Sequence, residues 1–192
     1  MPERRTVVLF GDSNTWGYVP GSNGQRFPRE VRWPARLADA LGPEWDVIAE
    51  GLNGRTATID SPWSEGRNGL PYLLPCLQSH APVDVLVIYL GTNDVGYGLT
   101  PYNIARCVGR LVRVARSAEA GDPHVIVICP PPFDGHTLGP AYTQICDELG
   151  VELLDLDGVA TYDVVGDDVE HLGAEAHAAV AVAVEERLRR LA

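Results

Sequence analysis

Basic charge, paired cysteines and long apolar runs are what this chain lacks. Its 192 residues carry 15 Lys and Arg against 26 Asp and Glu, a formal net charge of -11. Nucleic acids and anionic membranes are gripped through Lys and Arg, so this balance argues against both as partners. Four cysteines stand apart, at Cys76, Cys107, Cys129 and Cys146. No pair has the Cys-x-x-Cys spacing of a zinc or dithiol motif, so no metal centre or redox centre is expected. Cys129 closes an apolar strand and Cys107 falls in a helical pattern, as small core residues do. No apolar run reaches membrane-spanning length, and Met1-Pro2-Glu3-Arg4-Arg5 leads into the first strand without an apolar leader. Reduced thiols in a cytoplasmic protein are the expectation.

What is there is an alternation of strands and helices. Hydrophobic residues make up 45% of the chain and charged residues 21%, ordinary for a globular protein. A chain of this size buries roughly 70% of its unfolded surface, enough for one ample core over residues 1–192. Strands are predicted at 6–10, 45–49, 83–90, 124–129 and 151–154. Helices are predicted at 33–42, 71–80, 101–120, 139–149 and 173–191. Pro34 suits a first helical turn and Gly42 a helix stop. The 83–90 run is almost continuously apolar and β-branched, like a parallel strand covered on both faces. Arg106, Arg110, Arg113 and Arg116 recur on the polar side of the 101–120 helix, which reads as a solvated face. With no repeat and no linker, the pattern predicts a three-layer α/β/α domain with a parallel five-stranded sheet.

Four short segments stand out, three directly after these strands and the fourth ahead of the last helix. They are Gly11-Asp12-Ser13-Asn14, Gly51-Leu52-Asn53-Gly54-Arg55-Thr56, Gly91-Thr92-Asn93-Asp94 and Asp168-Val169-Glu170-His171. Carboxyl ends of parallel strands open on one edge, where ligands bind, so the segments can converge. A serine hydroxyl needs a base to take its proton, and His171 can serve if a carboxylate holds its other nitrogen. Asp168, three residues earlier, is the favoured carboxylate over its neighbour Asp167. The Ser13 and Gly54 N–H groups and the Asn93 amide can hold an oxyanion.

Each residue also has a plain structural use. Ser13 or Asp12 can cap a helix, Asn93 and Asp94 can shape a turn, and Gly54 can fill a left-handed turn position. Asp168 can cap the last helix, with His171 in its first turn. Their occurrence together at strand ends favours the catalytic reading. The other histidines fit less well: His80 ends a helix, His124 opens a strand, His136 lies in a Gly/Pro-rich loop within reach of substrate, and His177 lies inside the last helix. A phosphate- or flavin-binding module would need a Gly-rich cradle with Lys, which the first loop lacks.

These four segments resemble the blocks of the SGNH, or GDSL-type, hydrolase family, through Ser13, Gly54, Asn93 and His171 with Asp168. Gly11-Asp12-Ser13-Asn14-Thr15-Trp16-Gly17, Val31-Arg32-Trp33, Glu50 to Thr56, Leu90 to Asp94 and Pro130-Pro131-Pro132 are similar to bacterial arylesterase/acyltransferase members. The resemblance implies a flavodoxin-like fold and cofactor-free, metal-free, serine-dependent hydrolysis of short-chain esters, with acyl transfer to alcohols in some members. It also implies a homo-oligomer that narrows the site entrance. A carbohydrate deacetylase and a non-catalytic binding protein are the alternatives. Asp12, Asn14, Trp16, Asn53, Tyr97, Pro131 and Phe133 are expected to wall the substrate cleft. One departure is Val169-Glu170, where the family places Gly after the Asp; Glu170 would repel substrate carboxylates or raise the His171 pKa.

Overall fold

Alternating apolar side chains on β1 (Arg5–Gly11) point to opposite faces of one sheet, and this builds two cores. Val7 and Leu9 pack on one side, Val8 and Phe10 on the other, all fully buried. The computed structural model describes residues 4–191. Met1, Pro2, Glu3 and Ala192 lie outside them.

After β1 comes a one-turn helix, α1 (Ser13–Trp16), then α2 (Trp33–Leu41), β2 (Trp45–Gly51) and α3 (Gly69–Ser79). Next are β3 (Val85–Tyr89), α4 (Thr92–Gly96), α5 (Pro101–Ala115), β4 (His124–Cys129), α6 (Gly139–Leu149) and β5 (Glu152–Asp155). The chain ends with β6 (Tyr162–Val165), β7 (Asp168–Leu172) and α7 (Ala174–Arg189). β1 to β5 form a five-stranded sheet in the order β2-β1-β3-β4-β5, parallel throughout. That is the flavodoxin-like doubly wound order, with its switch point between β1 and β3. One core joins the sheet to α3, α5 and α6, and the other joins it to α2 and α7.

The predicted elements recur with shifted ends. The 71–80 helix begins earlier, at Gly69, because Asn68 caps it through a bond from the Leu70 N–H at 3.0 Å. The 101–120 helix stops at Ala115, and Gly121 and Asp122, with φ of 83° and 51°, turn the chain toward β4. Asp168 to His171 do not start the last helix. They belong to β7, which pairs antiparallel with β6 in a hairpin outside the main sheet.

Candidate active site

β1 and α1 meet at Gly11, where any side chain would collide. A Cβ there would lie 2.1 Å from Thr15 Oγ1 and 3.0 Å from the Tyr89 carbonyl. The tight turn lets Asp12 cap α1, its carboxylate accepting from the Asn14 N–H at 2.9 Å. Ser13 is therefore the first residue of α1, with no acceptor for its N–H inside the helix. The capping and nucleophile readings of this turn thus fall on adjacent residues.

Ser13 Oγ lies 2.9 Å from His171 Nε2. His171 Nδ1 lies 2.8 Å from both Asp168 carboxylate oxygens. Asp168 turns toward the residues that follow it, and its Oδ1 also accepts from the Glu170 N–H at 3.3 Å. Its Oδ2 accepts from the Gly21 N–H at 2.9 Å. Burial pushes the Asp168 pKa up, but Gly21, His171 and Glu170 together outweigh it, and the net shift is downward. Asp167, the rival carboxylate, is exposed on the hairpin turn.

Asn93 brings the second segment to the first. Its Nδ2 donates to the Arg55 carbonyl at 3.0 Å and, more weakly, to Asp12 Oδ2 at 3.4 Å. Gly54 sits in a turn closed by Arg55 N–H to Leu52 carbonyl at 3.0 Å, with φ of 73°. A side chain there is disfavoured by the backbone alone. Asp94 is fully buried and accepts from the Ala57 N–H at 3.0 and 3.1 Å. Burial, opposed by that N–H, raises its pKa to about 6. Burial likewise pushes Asp12 up to about 7, against the Asn14 N–H and with help from Glu170 and Asp94. Burial also raises Glu170, against the pull of His171.

Several residues expected in the cleft have other positions. Asp12 and Asn14 are buried and hold backbone, so they do not wall a cleft. The Asn14 amide donates to the Glu170 carbonyl at 3.0 Å, and its oxygen accepts from the Leu172 N–H at 2.9 Å. Pro131 is buried, and Phe133 packs edge-on against Tyr162 with ring centroids 5.4 Å apart. Trp16, Asn53 and Tyr97 are half-buried. Trp16 carries the Arg26 guanidinium 4.8 Å over its ring, and Asn53 Oδ1 is buried without a partner. His136 is exposed and bridges back to Phe133. His177 is fully buried, its Nδ1 accepting from the Trp33 N–H at 3.3 Å.

Two side chains of the site carry no expectation from sequence. Tyr18 stacks on the His171 ring at 4.2 Å. It comes from residues 17–28, whose Gly17, Pro20, Gly21, Gly24 and Pro28 mark a turn-rich loop and no site. Arg55 is 3% exposed, donates to the Gly11 carbonyl at 2.9 Å and to the Glu50 carbonyl, and lies over the Phe10 ring. It thereby ties the second segment to the end of β1. A cation inside a Gly-Leu-Asn-Gly-Arg-Thr loop was the available signal.

Comparison with known proteins gives the family. The model of the GDSL-like Lipase/Acylhydrolase family matches residues 9–179. An arylesterase of Vibrio mimicus is 28% identical over 130 residues, 66% of this chain and 56% of that protein. The chain thus spans about half the length of this curated relative. The structure of the M. smegmatis aryl esterase superposes with a TM-score of 0.90 at 33% identity, covering 98% of this chain and 100% of that one. A carbohydrate acetylesterase from Sinorhizobium meliloti gives 0.87 at 32% identity, covering 98% and 100%. With the family model matching most of its length, the chain belongs to the GDSL-like lipase/acylhydrolase family.

Proposed function

We propose that this protein is a serine-dependent carboxylic esterase acting on short esters through an acyl-enzyme. The observation that carries the reading is the unbroken chain from Ser13 Oγ through His171 to Asp168, with links of 2.9 and 2.8 Å. Such spacing lets the imidazole take the hydroxyl proton as oxygen attacks the carbonyl, while the carboxylate holds the tautomer. The Ser13 and Gly54 N–H groups and the Asn93 amide receive the oxyanion. Asn93 supplies its donor by giving up the long 3.4 Å bond to Asp12. His171 then protonates the leaving alcohol, and water releases the acyl group; an alcohol in place of water gives acyl transfer.

A carbohydrate acetylester is the second reading. The cavity beside His171 is lined by Tyr18, Ser22, Asp167 and Glu170, whose hydroxyls and carboxylates suit a hydroxyl-rich alcohol portion. Hydrolysis of p-nitrophenyl acetate by wild type and Ser13→Ala tests the shared core of both readings. Wild type is expected to turn over and to gain the mass of one acetyl group on Ser13. Equal rates from the two proteins would overturn the assignment. Faster release of acetate from acetylated oligosaccharide than from aryl acetate would favour the second reading.

A further inference from the structure

Tyr72, Cys76 and His80 recur every four residues, so they lie along one stripe of α3 and its C-terminal cap. β2 is an edge strand, and its residue Glu50 faces that stripe. His80 Nε2 lies 2.9 Å from Glu50 Oε1. The Tyr72 hydroxyl donates to Glu50 Oε2 at 3.1 Å. The Cys76 sulfur completes the group: one ligand atom each from Glu50, Cys76 and His80 fall within 4.8 Å of one another. None of these side chains takes part in the chemistry of Ser13 and His171.

We propose that Glu50, Cys76 and His80 bind one divalent metal ion of the zinc type, with water as the fourth ligand. One thiolate, one imidazole and one carboxylate are a borderline-soft donor set, suited to tetrahedral Zn²⁺ or Co²⁺ and unsuited to Ca²⁺ or Mg²⁺. The charges of the carboxylate and the thiolate cancel that of the ion. Tyr72 supports the site from outside by holding Oε2, so that Oε1, now paired with His80 Nε2, is the oxygen that turns to the metal. The neighbouring Arg55 guanidinium is already engaged with two carbonyls and the Phe10 ring. A cavity of roughly 650 Å³, lined in part by Glu50, Asp60 and Tyr72, opens beside the carboxylate and gives an ion its path. On binding, the Glu50–His80 hydrogen bond opens and the Cys76 S–H proton leaves to solvent. Sulfur, Nε2 and Oε1 then replace water on the ion, with no change of oxidation state.

Titration of the intact protein with Co²⁺ tests this site independently of any esterase activity. Wild type is expected to develop a thiolate-to-cobalt charge-transfer band in the near ultraviolet, saturating at one equivalent and abolished by Zn²⁺. Cys76→Ala is expected to lose the band. His80→Gln, a change at a half-exposed position that leaves the thiol in place, removes a direct ligand and is expected to weaken binding by more than the roughly 10- to 100-fold that losing an outer-shell partner costs. Circular dichroism of both variants checks their fold. A wild type with no saturable band would overturn the proposal. So would a band that survives in Cys76→Ala, which would put the metal on another thiol such as half-buried Cys107.

Discussion

Ser13 sits at the end of a central strand, whereas His171 sits on a two-stranded hairpin outside the sheet, and the two are held by different means. Asp12, Ser13 and Asn14 are at most 6% exposed and lie between the carboxyl ends of the strands. Packing and α1 geometry organise them. The hairpin has few apolar anchors, and Val164 and Val165 on it are 72% and 47% exposed. Asp168 and His171 on it are held beside Ser13 by a few contacts: two bonds between the hairpin and Asn14, one from Gly21, and the Tyr18 stack. Beneath both halves, α2 and α7 pack together, and His177 joins them through Trp33. Ser13 is thus placed by the core and His171 by a handful of contacts, so damage to either should read out differently.

The largest effect expected is at the reacting atom. Ser13→Ala should lower kcat for p-nitrophenyl acetate by roughly 10⁴- to 10⁶-fold while the melting temperature changes little. Turnover that survives would show that the buried half is not the reacting half.

The seam under both halves should respond to pH. Burial depresses the His177 pKa from 6.5 to about 4, so the folded state keeps it neutral. The unfolded chain takes up the proton first as pH falls, so stability present above pH 6.5 is lost on the way down to pH 4. The loss from this group is about 3 kcal/mol. Urea unfolding at pH 7 and pH 4.5 should show a marked drop in wild type and a smaller drop in His177→Asn.

Cutting a tether should separate catalysis from binding. Asn14→Ala leaves the buried Leu172 N–H without a partner, costing about 1–3 kcal/mol in urea unfolding. It also frees His171 to drift, which should lower kcat up to about 100-fold with KM nearly unchanged. A loss confined to KM would contradict the positioning role. The smallest effect is expected for Tyr18→Leu. Losing a stack of about 0.5–1.5 kcal/mol should lower kcat roughly 2- to 10-fold, with little change in melting temperature. Together these variants sharpen the contrast: Ser13→Ala changes rate with little change in stability, whereas Asn14→Ala lowers both.

The five strands of the main sheet could be read from their apolar patterns, because a parallel strand covered on both faces has little latitude in composition. Gly11, Ser13 and Asn93 stood out because each lies just after such a strand, and His171 because it stands three residues after Asp168, ahead of the last helix. The β6–β7 hairpin was missed, although Gly166-Asp167 between two short β-rich runs is a recognised hairpin signal. Its strands have four and five residues and expose much of their surface, so hydrophobic alternation is weak. Asp12 and Asn14 were misread as cleft residues because polar residues in a site block look the same whether they face substrate or buried backbone. Only the burial distinguishes them. A search for paired cysteines likewise says nothing about Glu50, Cys76 and His80, whose side chains meet only in the fold.

The sequence alone determined the alternation of strands and helices, the family blocks, and the identity of a serine, a histidine and an aspartate with complementary chemistry. Periodicity and local turn chemistry act over a few residues, so they survive in a linear reading. The tertiary structure decided which of those residues meet. It brought His171 to Ser13 across 158 positions and set Tyr18 on the imidazole. It also placed Glu50 against a stripe of α3 that begins 22 residues later, at Tyr72. Such meetings depend on how the hairpin and helices pack on the sheet, and no local pattern encodes the distance between two surfaces.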